Sequence, residues 1–125
     1  MAHVAVAGLG LGVVALGVSI RDWLGNLEGN FVGIVNKCNW EVVAWAKSGD
    51  DDIGPKHLQP GEVMYFHFEP NIWGTTHFWG GCWSDGRKCG FPCYAEGAPN
   101  DNNVFEIMDD GVYLNGSKFR NHESA

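Results

Sequence analysis

The stretch TTHFWGGCWSDGRKCGFPCYAE, residues 75–96, decides which fold the sequence predicts. It contains two apolar runs, residues 75–83 and 89–96, on either side of the dipeptide Asp85-Gly86. A two-residue Asp-Gly connection between two short apolar runs is a strong signal for a β-hairpin, because these residue types accept the φ angles that the turn requires. The sequence therefore predicts an antiparallel hairpin at this point.

Short runs of the same kind lie on both sides of this hairpin. Residues 62–68, EVMYFHF, alternate between two sets of side chains, as the two faces of a half-buried strand do. Further strands are predicted at residues 31–35, 40–46, 104–108 and 111–114, the second of them as the neighbour of the first. Six to eight short strands with no long helix between them predict an all-β fold, a small antiparallel β-sandwich.

The composition limits the classes of partner. The chain has 125 residues, which is the size of one domain, and 45% of them are hydrophobic. Its 8 Lys and Arg residues against 15 Asp and Glu residues give a formal net charge of −7. Nucleic-acid phosphates would repel such a chain, and an anionic membrane surface would not attract it. We therefore expect no nucleic-acid partner.

Residues 4–20, VAVAGLGLGVVALGVSI, form the longest uncharged apolar stretch. One interpretation is a signal peptide cleaved within residues 15–19, although no Lys or Arg precedes the stretch. A second is a retained segment that enters a membrane or packs between subunits. A dinucleotide-binding glycine turn is disfavoured, since no helix and second parallel strand follow it. The side chains that would enter a membrane are Leu9, Leu11, Val13, Val14, Leu16, Val18 and Ile20.

A short amphipathic helix is predicted directly after this stretch, because Ile20, Trp23, Leu24 and Leu27 repeat at helical spacing. We expect this helix to pack on the sheet. The predicted domain organisation has three parts: residues 1–30 with the apolar segment and the helix, residues 31–116 with the β-sandwich, and a polar tail at residues 117–125.

Several motifs stand in the order found in a known family. In chain order they are KSGDDDIG at residues 47–54, Leu58-x-Pro60-Gly61, YFHF at residues 65–68, FEPNIWGTTHFW at residues 68–79 and FEIMDDGVYL at residues 105–114. Together they make the chain resemble the plant self-incompatibility protein homologues over about residues 31–114. The resemblance implies a secreted β-sandwich without enzymatic activity. Some members of that family are extracellular signals recognised at a cell surface.

The four cysteines are Cys38, Cys82, Cys89 and Cys93. An even number in a small chain indicates two disulfides and a secretory route. The turn at residues 85–86 places Cys82 opposite Cys89 and favours that pair. The remaining pair would then join Cys38 to Cys93. Ala46 and Gly80 stand where the resembled family usually has cysteines, and their joint loss is expected if the family bonds those two to each other.

Candidate sites outside the cysteines are few. Asp50, Asp51, Asp52 and Gly54 are interpreted as a structural turn, because three consecutive aspartates lack the alternating ligand spacing of a calcium loop. The histidines match no zinc-binding spacing, and no nucleophile and base stand in a catalytic motif. We therefore expect no metal, no cofactor and no active site.

Partner contacts are assigned to exposed loops. The residues chosen for them are Lys56, His57, Trp73, Arg87 and Lys88. Trp73, in the turn at residues 70–74, is the tryptophan expected to be exposed, whereas most of the others are expected to pack in the core or the hairpin. Asn115-Gly116-Ser117 is a sequon for N-glycosylation if the protein is secreted.

Two functions are compatible with these features. The favoured one is a secreted, non-enzymatic β-sandwich that acts as an extracellular ligand or effector for a cell-surface protein or receptor. The alternative is a membrane-inserting, oligomerising protein, similar in plan to pore formers, that uses residues 4–20. The expected localisation is extracellular, or membrane-associated if the apolar segment is retained.

Overall fold

The structure is a computed structural model that describes residues 3–10, 30–49, 52–69, 77–84, 86–95 and 102–124. Over these residues the chain forms eleven β-strands and no helix. The strands are β1 His3–Gly10, β2 Asn30–Asn36, β3 Val42–Lys47, β4 Asp52–Leu58, β5 Val63–Glu69, β6 His77–Ser84, β7 Arg87–Ala95, β8 Asn102–Met108, β9 Gly111–Leu114, β10 Ser117–Arg120 and β11 Glu123–Ser124. The prediction of an all-β fold is confirmed, with more strands than the predicted six to eight.

The strands form two sheets. The first sheet has the order β1-β5-β2-β8-β9-β10, and the second sheet has the order β11-β7-β6-β3-β4. The described pairs are antiparallel except for β2 and β8, which run parallel with Gly33 opposite Val104. The prediction of a purely antiparallel arrangement is therefore wrong at this pair. The reason is that β8 reaches β2 only after five intervening strands, and not through a hairpin.

The chain changes sheet immediately after β2. The strands β2 and β3, predicted as neighbours, lie in different sheets, and the buried side chain of Asn36 explains why. Its Nδ2 donates hydrogen bonds to the carbonyl oxygens of Trp40, at 2.7 Å, and Leu58, at 2.8 Å. Its Oδ1 accepts from the backbone N–H of Cys38 at 2.8 Å. These bonds satisfy a buried bend that redirects the backbone instead of closing a hairpin.

The core lies between the two sheets and is built largely from phenylalanine and aliphatic side chains. Phe66 of the first sheet and Phe78 of the second have ring centroids 5.1 Å apart. Phe91 and Phe105 form a stacked pair across the sheets at 4.4 Å. All four rings are fully buried, and each contributes roughly 1.5–3 kcal/mol through the apolar area it removes from water. The opposite face of the second sheet remains outside this core.

Three strands lie where the sequence predicts a turn and a tail. Residues 52–58 form β4 rather than the end of a polar turn, and the β3–β4 register shifts between Ala44 and Ala46. The strands β10 and β11 occupy residues assigned to the polar tail, and β11 pairs with β7 through Glu123 opposite Lys88. All three are edge strands. An edge strand pairs on one side only and tolerates charged residues, so an apolar alternation does not mark it.

The apolar N-terminal stretch is described only at its start. The strand β1 pairs antiparallel with β5, and Leu9 lies opposite Met64. Leu9, predicted in a membrane segment, is therefore part of the first sheet. Within the described part of the chain, no helix is long and apolar enough to cross a membrane. Outside the described residues lie the predicted helix at residues 20–27 and the other members of the membrane set, Leu11, Val13, Val14, Leu16, Val18 and Ile20.

Candidate functional site

The outward face of the second sheet carries Trp45, Trp79 and Trp83, and we call this surface the tryptophan face. Side chains alternate between the two sides of a strand, so Trp79 and Trp83 of β6 point away from the core while Phe78 and Cys82 point into it. Trp79 is 41% exposed and Trp83 is 45% exposed. Large apolar side chains grouped in this way on one sheet face indicate a contact surface.

Two glycines let the indole rings approach the sheet closely. Gly81 lies opposite Trp45 in the β3–β6 ladder, and Gly90 lies opposite Gly81 in the β6–β7 ladder. A Cβ atom on Gly81 would lie 2.6 Å from Cζ2 of Trp45, so this ring occupies the space of the missing side chain. A Cβ atom on Gly90 would lie 3.5 Å from Nε1 of Trp79. The indole rings therefore lie across the backbone of glycine residues. A larger residue at position 81 would leave no room for the ring of Trp45.

Two open concavities adjoin on this face. The first, of about 370 Å³, is lined by Trp45, Lys47, Asp52, Gly54, Pro55, Trp79 and Trp83. The second, of about 510 Å³, lies toward the hairpin turn, and its lining includes Trp45, Trp83, Lys88, Gly90 and Glu123. Trp45 and Trp83 line both concavities, so the two share one aromatic wall.

Cations lie over two of the three indole rings. The Nζ atom of Lys47 is 5.7 Å from the ring centroid of Trp45, and Cζ of Arg120 is 5.9 Å from that of Trp79. Both distances allow cation–π attraction. Arg120 also donates a hydrogen bond to the carbonyl oxygen of Gly90 at 3.1 Å, which ties it to β7. Arg120 is therefore held beside the face, whereas Lys47 contacts it only through the ring.

Two carboxylates lie among the cations around the tryptophan face. Asp52 lies opposite Lys47 in the β3–β4 ladder, and Glu123 lies opposite Lys88 in the β7–β11 ladder. All four side chains are exposed. Among the described residues, none of the four belongs to a salt bridge. The surface therefore combines apolar rings with free hydrogen-bond donors and acceptors.

The structure does not bring the predicted partner-binding residues together. Lys56 and His57 lie on β4 at one edge of the second sheet, whereas Arg87 and Lys88 begin β7 toward the other edge. Trp73 lies outside the described residues. Arg87 and Lys88 both line the second concavity.

Two of the predicted residues make contacts within the chain. Arg87 donates from its guanidinium to the carbonyl oxygen of Asp109 at 2.6 Å and lies 5.5 Å from the ring centroid of Trp40. The Nδ1 atom of His57 lies 3.0 Å from Oε1 of Glu41, and this hydrogen bond is the main reason that the pKa of Glu41 is lowered. These contacts occupy the polar groups that a partner would otherwise meet.

The tryptophan face is absent from the sequence-based choice of sites. The sequence predicts that most tryptophans other than Trp73 pack in the core or the hairpin, and the structure shows Trp79 and Trp83 exposed. A signal for their exposure lies in the register, because Trp79 pairs with Lys47 and Trp83 pairs with Lys88. A lysine opposite each tryptophan is typical of a solvated face, since lysine is almost never fully buried without a partner.

The expected disulfides are absent, and Cys38, Cys82, Cys89 and Cys93 are buried free thiols. The predicted register is nevertheless correct, because Cys82 lies directly opposite Cys89. The predicted pair of Cys38 and Cys93 is not formed either, since both are free thiols. Cys38 lies near enough to Cys82 to contribute to its raised pKa. Cys93 lies four residues along β7 from Cys89, a separation of about 13 Å.

Burial controls the chemistry of these thiols. It raises the pKa of Cys38 to about 11, with a further contribution from Asp109, and that of Cys82 to about 12. Burial also raises the pKa of Cys89 and of Cys93. Thiols that stay protonated at neutral pH are poor nucleophiles. Across the ranges that the structure covers, no group of three or more His, Cys, Asp or Glu side chains is arranged to hold a metal ion.

The two positions where the resembled family usually has cysteines are neighbours in the structure. Ala46 and Gly80 lie directly opposite each other in the β3–β6 ladder. A Cβ atom on Gly80 would collide with Sγ of Cys93 from β7. The thiol of Cys93 therefore occupies the space of the side chain that Gly80 lacks, and packing takes the place of a bond between β3 and β6.

The predicted structural turn is described only in part. Asp50 and Asp51 lie outside the described residues, and Asp52 is exposed on β4. Gly54 lies within β4 rather than in a turn, with a φ angle of +105°. A Cβ atom there would approach the carbonyl oxygen of Ala44 to 2.9 Å, so this irregularity in the strand requires glycine.

Asn115, the predicted glycosylation site, lies in the turn between β9 and β10 with a φ angle of +48°. Its Oδ1 accepts a hydrogen bond from the backbone N–H of Val104 at 2.8 Å. Its Nδ2, the atom to which a glycan would be attached, lies 3.5 Å from Oδ1 of Asn103. The side chain supports the turn beside β8, and glycosylation of Asn115 stays a prediction.

Comparison with known proteins relates the chain to one plant family. The family model for plant self-incompatibility protein S1 matches residues 32–124. S-protein homolog 21 of Arabidopsis thaliana is 61% identical to this chain over 33 residues. That segment covers 26% of this chain and 25% of the relative, so the aligned part spans about a quarter of the relative's length. No solved structure matches the chain significantly.

Proposed function

Because this chain belongs to the plant self-incompatibility protein S1 family, we propose that it is a secreted, non-enzymatic ligand that a cell-surface receptor recognises. The observation that carries the proposal is the family match, which extends from residue 32 to residue 124 and includes nearly all of both sheets. Members of this family are generally secreted. A small β-sandwich suits the role of a ligand, because a fixed surface binds with little change of backbone shape.

We assign the receptor contact to the tryptophan face and the adjoining β6–β7 hairpin. Trp79 and Trp83 are exposed. Tryptophan is enriched among binding hot spots, the few interface residues whose truncation to alanine costs most of the affinity. Exposed charged side chains, including Lys88 and Glu123, border the rings. An apolar centre inside a polar border is the usual arrangement of a protein contact surface.

Secretion is tested by expressing the full chain, fused at its C-terminus to a fluorescent protein, in plant cells. We expect the fusion to accumulate in the medium. A fusion that remains inside intact cells would contradict this part of the proposal.

Recognition is tested with purified, labelled full-length protein on intact plant cells. We expect saturable binding for which unlabelled protein competes, because a receptor offers a finite number of sites. The double variant Trp79→Ala/Trp83→Ala should bind at least about tenfold more weakly, since truncating a central interface tryptophan costs about 2 kcal/mol or more.

The matched control is Tyr113→Ala, which removes a partly exposed aromatic ring from β9 in the first sheet. This variant should bind as the unaltered chain does. Binding that does not saturate contradicts recognition by a receptor. An equal loss in the control and in the double variant contradicts the choice of surface.

A further inference from the structure

We propose that the tryptophan face binds an unbranched oligosaccharide, whose sugar rings stack on the exposed indole rings of Trp79 and Trp83. The proposal deepens the proposed function and rests on it, because it names the chemistry of the cell-surface contact. The argument has three parts: the arrangement of the rings, the polar groups around them and the size of the exposed apolar area.

The rings form a line that suits a chain of sugars. Trp79 and Trp83 are four residues apart on β6, which places them about 13 Å apart along the strand. The ring of Trp45 lies across Gly81, the residue midway between them. A sugar ring presents C–H bonds on its face, and these are attracted to the electron-rich face of an indole ring. Three indoles along this line offer space for more than one sugar unit.

The polar groups around the rings match the hydroxyl groups of a sugar, which both donate and accept hydrogen bonds. Lys47 and Lys88 supply donors, and Asp52 and Glu123 supply acceptors. None of these four side chains has a hydrogen-bond partner among the described residues. Arg120 over the ring of Trp79 and Arg87 in the second lining add two cations to these four groups. Positive charge therefore exceeds negative charge around the rings, and the lining accepts an acidic sugar as well as a neutral one.

The exposed indole rings alone do not make up a stable interface with a second copy of this chain. Trp79 and Trp83 are 41% and 45% exposed, which corresponds to roughly 200 Å² together for side chains of up to about 250 Å² each. A standard protein interface buries about 800 Å² on each partner. A second copy would also have to desolvate the unpaired charges around the rings. An oligosaccharide needs neither the larger area nor the removal of water from these charges.

The test uses purified full-length protein and purified hexasaccharides of β-1,4-linked glucose, mannose and xylose, with an α-1,4-linked galacturonate hexamer for comparison. Isothermal titration calorimetry should show saturable binding of at least one of these hexasaccharides, with a shift of tryptophan fluorescence to shorter wavelength. Trp79→Ala and Trp83→Ala should each weaken that binding at least about tenfold, whereas Tyr113→Ala should leave it unchanged.

A second measurement needs no altered chain. The bound hexasaccharide should protect exposed indole rings of the unaltered protein from oxidation by N-bromosuccinimide. This readout remains informative if either alanine variant fails to fold.

Several results would overturn the proposal. They are the absence of binding of every hexasaccharide at millimolar concentration, and a concentration-dependent dimer that disappears in Trp83→Ala. Saturable binding to cells without binding of any hexasaccharide would remove this inference and leave the proposed function standing. Hexasaccharide binding without secretion or cell binding would remove the proposed function and leave the sugar site standing.

Discussion

The two faces of the second sheet combine aromatic residues with glycine, yet one face is core and the other is surface. On the inner face Phe91 is fully buried against the first sheet, and Gly80 makes room for Cys93. On the outer face Gly81 makes room for Trp45, and no second layer of described strands covers the ring. The difference shows that the role of a glycine in a strand depends on the side chain that packs against its backbone. Whether an aromatic ring becomes core depends on the layer opposite it.

The largest expected difference between the faces is in stability. Phe91→Ala should lower the free energy of unfolding by about 3–5 kcal/mol, because it removes a fully buried ring stacked on Phe105 and leaves a cavity. Trp83→Ala should lower it by about 1 kcal/mol or less, since much of that side chain already lies in water. Urea unfolding followed by circular dichroism measures both. Equal losses would break the comparison.

A smaller effect should separate the inner glycine from an outer one. Gly80→Ala places a methyl group against Sγ of Cys93 and should cost about 1–3 kcal/mol, as overpacking does. Gly90→Ala, the matched control, meets Trp79 only at an ordinary contact distance and should change stability by about 0.5 kcal/mol or less. Adding Cys93→Ala to Gly80→Ala should recover part of the loss. Strictly additive effects in this double-mutant cycle would show that Gly80 does not make room for the thiol.

The effect that is smallest near neutral pH is a dependence on alkaline pH that arises from the inner face. Burial raises the pKa of Cys82 to about 12, from an ordinary value of 9.0, so the unfolded chain releases this proton at a lower pH than the folded chain does. The resulting stabilisation is complete below about pH 9 and declines as the pH rises toward 12, by at most about 1.4 kcal/mol per pH unit. Melting temperatures of the unaltered chain and of Cys82→Ala between pH 8 and pH 11 measure this decline. A decline of the same slope in both proteins would assign it to other groups.

The hairpin could be predicted closely because local chemistry determines it. A two-residue turn at residues 85–86 requires Ser84 to pair with Arg87 and Cys82 to pair with Cys89, and both pairs are observed. Residues 62–68 likewise form a strand where their alternation predicts one. In both cases the information lies within a few residues of the feature that it determines.

The features that escape prediction depend on contacts between distant parts of the chain. The sequence places residues 40–46 beside residues 31–35, but Asn36 directs the chain to the other sheet through a bond to Leu58, 22 residues away. The exposure of Trp79 depends on the absence of an opposing layer, which its own strand does not reveal. The disulfides are predicted from the even number of cysteines, and that number carries no information about the distances between the thiols.

The contact of Ala46 with Gly80 also bears on how the protein is made. A bond between β3 and β6 would require an oxidant and the correction of wrong pairings during folding. Here the single thiol of Cys93 fills the junction by packing. Formation of the junction between β3 and β6 therefore requires neither an oxidase nor a disulfide isomerase. Glutathione cannot weaken the junction, because it contains no disulfide to reduce.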